Sequence, residues 1–485
     1  MLSLPESQLL INGDWIPATD GGTLAVTDPA TGEVITTVGA AGPADVDRAV
    51  RGAAEAARAW ARTSPAERGT VLRAWAGLIA VASEELAALE ARDVGKPLSD
   101  ARRNVWIAHD MLVYFAGMAD KVTGATLPSR LEESFGFTLA EPHGVCALIT
   151  AWNVPALLMM AEAAPALAAG NTLVVKPSEV APLVVLRLAA LGVEAGLPPG
   201  TISVLTGLGT DAGQPLVSHP LVNHVSFVGS TTTGKAIMRG AAERLVPVKL
   251  ELGGKSPNVV FADADLDAAL PLIAASITEN SGQNCNAGSR LLVHRSIAAD
   301  VTERLAAIMA ATRIGHWDDD LDMGPLASEA QRQKVEHHVQ LARGAGARIV
   351  TGGSRPEGER FAHGYFVTPT LIDQVDPTMA VSREEIFGPV LTVQEFGDTD
   401  EAVKLVDDTD FGLQVGIWTR DVSRALRVVR EVRSGQVSVN EPSNVGVIGL
   451  PFNVTKASGF NSGGGYTAMR EYTAEKAVSM RLGAW

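Results

Sequence analysis

The chain encodes an α/β protein of two or three domains, built around a parallel sheet with helices on both faces. Three observations predict this. From residue 144 short β-rich runs alternate with helical ones, the pattern of successive strand–helix units. The alternation starts afresh after LELGG at 250–254, and 485 residues exceed what one core fills, since single cores stop growing at roughly 250–300 residues. A glycine-bounded turn, FVGSTTTGKA at 227–236, follows one of the strands and opens a helix, where such sheets bind ligands.

In chain order, 45–62 and 65–82 carry apolar residues at helical spacing. The second run opens with Ser64, Pro65 and Glu67, a capping box with proline at the first helical position. Then come GVCALIT at 144–150, a helix over 156–169, TLVVKPS at 172–178, a helix over 181–195, TISVLTG at 201–207, a short helix near 211–217, HVSFVG at 224–229, a helix from about 233 and VPVKLEL at 246–252. The second α/β run begins with SPNVVF, passes through a helix over 265–279 and RLLVHR, and continues to about 440. SGFNSGGG at 458–465 has the composition of a flexible loop, and EKAVSMRL at 475–482 that of an edge strand.

Composition narrows the function. A formal charge of −15 with no Lys/Arg block argues for a cytoplasmic protein and against nucleic-acid binding, which wants a basic face. The start MLSLPESQLLINGDWIP has neither the basic end nor the apolar run of a secretory signal. The most apolar stretch, ALLMMAEAAPALAAG at 156–170, is broken by Glu162 and Pro165 and is too short for a membrane span. Only Cys146 and Cys285 are present, so neither a disulfide framework nor a cysteine-ligated zinc site is encoded. The nine histidines show no metal-ligand spacing, and the adjacent His337 and His338 read as solvated, so no metal is expected.

The turn at 227–236 satisfies G-x-x-x-x-G-K through Gly229, Gly234 and Lys235, but Ala236 stands where a nucleoside-triphosphate site needs a hydroxyl for Mg²⁺. Asp263 could imitate the acidic metal ligand of such a site. Without the hydroxyl, the unpaired N–H groups of the helix start point to the phosphates of a dinucleotide, with a P-loop-like nucleotide hydrolase as the alternative.

AWNVPALL at 151–158, VVKPSE at 174–179, KLELGGKSP at 249–257, GQNCNAGSR at 282–290 and EEIFGPV at 384–390 occur in that order, and with them the chain resembles the aldehyde dehydrogenase superfamily nearly end to end. The resemblance implies a Rossmann-like cofactor domain (1–122 and 143–253), an α/β catalytic domain (254–453) and a small β oligomerisation arm (123–142 and 454–485). It also implies a homodimer or homotetramer. An aldehyde surrenders hydride only after a nucleophile has made its carbon tetrahedral, and the resemblance assigns that role to Cys285. Cys146 reads instead as a buried small hydrophobe. Asn153 with the Cys285 backbone N–H would stabilise the oxyanion, and Glu251 would activate water to cleave the thioester. Gly253 and Gly254 after Glu251 read as freedom for its carboxylate to swing.

For the cofactor the resemblance assigns Trp152, Lys176, Ser178 and Glu179, then Gly229, Ser230 and Gly234 at the cradle, and Glu385 with Phe387 at the nicotinamide ribose. A carboxylate such as Glu179 at the adenine ribose favours NAD, with NADP as the alternative. The aldehyde tunnel would be lined by Val154, Leu157, Leu158, Ala161, Asn284, Asn286, Gly446 and Phe452. Small residues at 161 and 446 favour a medium or bulky, largely apolar aldehyde, aromatic or long-chain; the two asparagines would equally serve a small polar aldehyde or semialdehyde. PFNVTKASGFNSGGG from Pro451 departs from the family pattern, with Asn453 and Val454 for glycines and Gly463 for the usual glutamate. A catalytically silent relative that keeps the fold is the remaining alternative.

Overall fold

A computed structural model describes residues 7–443 and 447–482. The expected parallel strands form the centre of an eight-stranded sheet in the order Asp14–Pro17, Gln8–Ile11, Ile202–Val204, Thr172–Lys176, Val145–Ile149, His224–Val228, Val248–Glu251 and Gly459–Phe460. The five strands between Ile202–Val204 and Val248–Glu251 run parallel, and the outer ones are antiparallel. Successive strands step from Val145–Ile149 to one side, then the chain returns to its other side at His224–Val228. That reversal opens a crevice beyond the carboxyl ends of these two neighbours.

The early helices, Pro43–Arg62 and Pro65–Val81, begin and end within two residues of the expected spans. The capping box at Ser64 closes reciprocally: the Glu67 N–H donates to Ser64 Oγ at 3.3 Å, and the Ser64 N–H donates to Glu67 Oε2 at 3.0 Å. Trp60 and Trp75 bury their rings and donate their indole N–H groups to the carbonyls of Leu167 and Leu188. These bonds fasten the early helices to the helices Pro155–Ala169 and Leu183–Glu194. The all-round apolar helix Pro155–Ala169 lies inside that helical layer, which is why it lacks a polar face.

The second sheet has the order Arg348–Thr351, Thr370–Asp373, Val390–Phe396, Arg290–His294, Pro257–Val260, Gln414–Trp418 and Gln436–Val439, parallel except for the first pair. A separate three-stranded sheet pairs Ser134–Pro142 with Thr473–Arg481 and Thr126–Leu127, so the C-terminal strand is paired over its whole length with a segment more than 300 residues earlier. No helix among the described residues is long and apolar enough to cross a membrane.

Two local expectations fail. SGFNSGGG is not an open loop: Gly459–Phe460 pairs with Val248–Glu251, and Ser462–Gly463 pairs with Phe452–Asn453. At Gly459, φ is +123° and a Cβ would lie 2.0 Å from the Leu250 carbonyl oxygen, so glycine is there for close strand approach. His338 is buried rather than solvated, with Nε2 3.3 Å from Glu384, while His337 is exposed.

Candidate active site

The nucleophile segment hangs between the helix Leu266–Thr278 and the strand Arg290–His294. It is bent by Asn280 and Ser281 at φ of 50° and 56°, a backbone region that non-glycine residues seldom occupy. Neighbours hold this bend in place. Asn280 Nδ2 donates to the Asn153 carbonyl at 2.9 Å, Gln283 Nε2 donates to the Asn280 carbonyl at 3.0 Å, and the Ala327 N–H donates to Gln283 Oε1 at 2.9 Å. A Cβ at Gly282 would fall 2.3 Å from the Gly388 carbonyl, so the segment packs directly on EEIFGPV.

Asn153 follows the strand Val145–Ile149 and is buried. Its Nδ2 donates to the Gln283 carbonyl at 2.9 Å, which leaves its second N–H for another acceptor. Its backbone carbonyl also accepts from Lys96 Nζ at 2.7 Å. Lys96 is fully buried and ion-paired to Glu90 at 2.9 Å, and Glu90 also accepts from Asn104 and from the Ala156 N–H. The residue assigned to the oxyanion is thus clamped from the helical layer on one side and the Cys285 segment on the other.

Cys285 sits part-exposed at the end of the bend, but its thiol is desolvated by its surroundings. Burial first, and the carboxylates of Glu251 and Glu385 second, push it up to about 12, while the backbone N–H groups of Asn286 and of Cys285 itself pull it down. Cys146 is fully buried in a strand. Glu251 ends the strand Val248–Glu251, and burial raises its carboxyl to about 8 against the opposing pull of Lys249.

The two glycines after Glu251 are needed for close packing. Neither adopts positive φ. A Cβ at Gly253 would meet Glu385 Oε2 at 2.4 Å, and one at Gly254 would meet the Cys285 carbonyl oxygen at 2.3 Å. They allow Glu385 and the Cys285 backbone to approach the strand end, and the Gly254 N–H donates to Glu385 Oε1 at 2.9 Å. Phe387, at φ 59°, presents its ring edge to Trp152 with centroids 5.4 Å apart, and Gln331 Nε2 holds the carbonyls of Ile386 and Phe387.

At the cradle, Ser230 caps the helix Thr231–Ala242 and accepts from the Thr233 N–H at 3.2 Å. A Cβ at Gly229 would strike the Phe227 ring at 2.5 Å, and one at Gly234 would strike Leu252 at 2.6 Å. Lys176 is buried at the end of the parallel strand Thr172–Lys176, one strand removed from His224–Val228, with Nζ 3.6 Å from Glu179 and 2.9 Å from the Pro177 carbonyl. Ser178 Oγ accepts from the Val180 N–H. A helix start, a lysine and a carboxylate at one sheet edge match the donors and acceptor that a dinucleotide's phosphates and ribose require. Asp263 is not available to this cradle: it binds Thr419 and pairs with Arg424 in the second sheet's unit, which removes the acidic metal ligand of the nucleotide-hydrolase alternative.

Leu157, Leu158 and Ala161 form a half-buried stripe on the helix Pro155–Ala169, with Val154 at its start. Asn284, Asn286 and Phe452 are half-buried as well, and Gly446 lies outside the described residues. Sequence reasoning passed over Lys96, Glu90 and Gln283, and treated Glu162 only as an interruption of an apolar run. A charged residue inside an apolar helix or strand, as at Glu162 and Lys249, was the available signal.

Fold and geometry together define an α/β protein with a helix-capping turn at the carboxyl end of one parallel sheet and a free thiol in the segment that leads into a central strand of a second. The chain belongs to the aldehyde dehydrogenase family, whose model matches residues 15–478. Among solved structures, a Burkholderia cenocepacia protein assigned as an aldehyde dehydrogenase is 41% identical, covers 98% of both chains and superposes with a TM-score of 0.97. PnpE from Pseudomonas sp. WBC-3 is 38% identical over 99% of both chains, with a TM-score of 0.97, and has been solved with nicotinamide adenine dinucleotide. Betaine aldehyde dehydrogenase from Staphylococcus aureus, solved with NAD+, is 35% identical over 100% of this chain and 96% of that one, also at 0.97.

Proposed function

We propose that the protein oxidises an aldehyde to its carboxylic acid with NAD, through covalent intermediates on Cys285. The observation that supports the reading is the packing around the Cys285 segment: Glu251 and Glu385 lie close enough to act on its thiol, Asn153 bonds the Gln283 carbonyl, and Gly253 and Gly254 pack against Glu385 and the Cys285 backbone. Lys176, Ser178, Glu179, Gly229, Ser230 and Gly234 would hold the adenosine and phosphates, and Glu385, Phe387 and Trp152 the nicotinamide end. When bound, the nicotinamide supplies the hydride acceptor.

The chain's own residues do the rest. Cys285 Sγ gives its proton to solvent and bonds to the aldehyde carbon as the C=O π pair moves onto the carbonyl oxygen, which takes the negative charge. The free N–H of Asn153 and the Cys285 backbone N–H receive that oxyanion. After hydride departure a thioester remains. Glu251 then takes a proton from water as the water oxygen attacks the acyl carbon, and the C–S bond breaks to release acid and return the thiol. A thiol and a carboxyl both raised by burial are both largely protonated at pH 7, so turnover rises with pH.

The half-buried stripe Leu157, Leu158 and Ala161 favours a medium or bulky apolar aldehyde. The second reading, a small polar aldehyde, is favoured by Asn284 and Asn286 and by the betaine aldehyde dehydrogenase relative. Comparing kcat/KM across acetaldehyde, decanal, benzaldehyde, succinic semialdehyde and betaine aldehyde separates them: the apolar reading is lost if a polar aldehyde leads. Glu179 supports NAD over NADP through repulsion of a 2′-phosphate. The division into cofactor (1–122, 143–253), catalytic (254–453) and arm (123–142, 454–485) units is supported by the three larger sheets, although Gly459–Phe460 of the arm range joins the eight-stranded sheet. The arm exposes Leu127, Leu131, Phe135, Leu139 and Met480, which supports assembly into a homodimer or homotetramer, checked by light scattering.

A further inference from the structure

Directly beneath Glu251, on the same face of its strand, lies a second buried ionic group that the proposed reaction does not use. Lys249 is 1% exposed and donates to Glu162 Oε1 at 2.6 Å. Glu162, 3% exposed inside the apolar helix Pro155–Ala169, also accepts from Ser226 Oγ at 2.8 Å and from the Tyr472 hydroxyl at 2.6 Å through its other oxygen. Three donors on one carboxylate keep it ionised, and the ionised carboxylate keeps the lysine charged despite its burial.

The cation also reaches Glu251. A Cβ on Gly463 would lie 3.2 Å from Lys249 Nζ and 3.3 Å from Glu251 Oε1, so both charged tips border the small space above this glycine. The Gly463 backbone N–H also favours the ionised form of Glu251, and no described side chain donates a hydrogen bond to either of its oxygens. In such a dry site a nearby full charge decides whether the carboxyl holds its proton.

We propose that Lys249 is a positioning residue for the water-activating base: its ammonium, anchored by Glu162, Ser226 and Tyr472, sets the pH at which Glu251 becomes a carboxylate. The inference rests on the thioester reading above. Other groups facing the pair are Cys285 beside Glu251, and Glu471 and His224 beside Lys249. His224 in turn stacks on His143 and tilts toward Tyr472. Burial drives both histidines toward the neutral form, so they add no competing positive charge near neutral pH.

Two substitutions test this. Lys249→Met removes the cation and moves the rising limb of thioester hydrolysis to higher pH, and each whole pH step the limb moves lowers the rate at pH 7 by about tenfold. Glu162→Gln removes the anion that keeps the buried lysine charged, so the cation is lost with it, and the limb moves up by less than in Lys249→Met because a repelling carboxylate is lost too. A purely structural pair would lower rate or stability in both variants without moving the limb. Should either single variant fail to fold, the double variant Lys249→Met with Glu162→Gln leaves no buried lone charge. It is expected to keep a smaller upward displacement of the limb, because the lysine acts on Glu251 more strongly than Glu162 does. The rates are read in the full-length enzyme by rapid mixing with NAD and aldehyde, which separates the NADH burst from later hydrolysis. A wild-type protein with no burst and no turnover overturns the thioester reading itself. A normal burst with the limb unmoved in the double variant and in every single variant that folds overturns the role of Lys249 alone.

Discussion

Gly254→Ala tests whether the crevice geometry drives the chemistry. The added Cβ would sit 2.3 Å from the Cys285 carbonyl oxygen, a backbone atom with no side-chain torsion to relieve the overlap. Restoring an ordinary contact requires about 1 Å of movement in the nucleophile segment, and a displacement of that size costs about a hundredfold in rate. This corresponds to about 2.7 kcal/mol of transition-state stabilisation. The expected result is kcat/KM down by about 10² with NAD affinity, read by quenching of protein fluorescence, unchanged. Gly253→Ala is the control: its Cβ meets the Glu385 carboxylate, a side-chain end, at 2.4 Å, so its effect should fall on cofactor affinity. A Gly254→Ala enzyme within twofold of wild type in kcat/KM would refute the claim that Cys285 is placed by this contact.

Cys285→Ala should bind NAD but form no NADH, and Glu251→Gln should give one burst per site and then stall; a burst from Cys285→Ala ends the covalent reading. The steady-state rate should rise with pH through about 8, because Glu251 works as the carboxylate and its acid form dominates below that value; a flat profile between pH 6 and 9 contradicts this. Lys96→Met strands Glu90 as a buried charge and should destabilise by about 3–5 kcal/mol, seen as a lower urea midpoint. Glu179→Gln should raise kcat/KM with NADP about tenfold by removing like-charge repulsion, and an unchanged NADP/NAD ratio would show that Glu179 does not face the ribose.

The strand–helix alternation, the turn at 227–236 and the segment around Cys285 were legible because each is local: a few neighbouring residues with matching turn, cap and period. The same locality explains why two glycine-rich stretches were read incompletely. SGFNSGGG has loop composition, but glycine was needed there so that one backbone could lie against another, and that partner strand is more than 200 residues away. Likewise Gly253 and Gly254 signal backbone freedom when read alone, and close packing once Glu385 and Cys285 are in place.

By itself the sequence determined the two α/β sheets and the glycine-bounded turn, and it named Cys285, Glu251 and Asn153 as the candidate thiol, carboxylate and amide. Tertiary structure alone decided how those groups are held and charged. Lys96 reaches Asn153 across 57 residues, Asn153 reaches Gln283 across 130, and Lys249 reaches Glu162 across 87. A charged residue in an apolar run announces that a partner must exist, since burial alone would be too costly. Which partner it finds, and which neighbouring carboxyl its field then governs, follows only from the packing of one element on another.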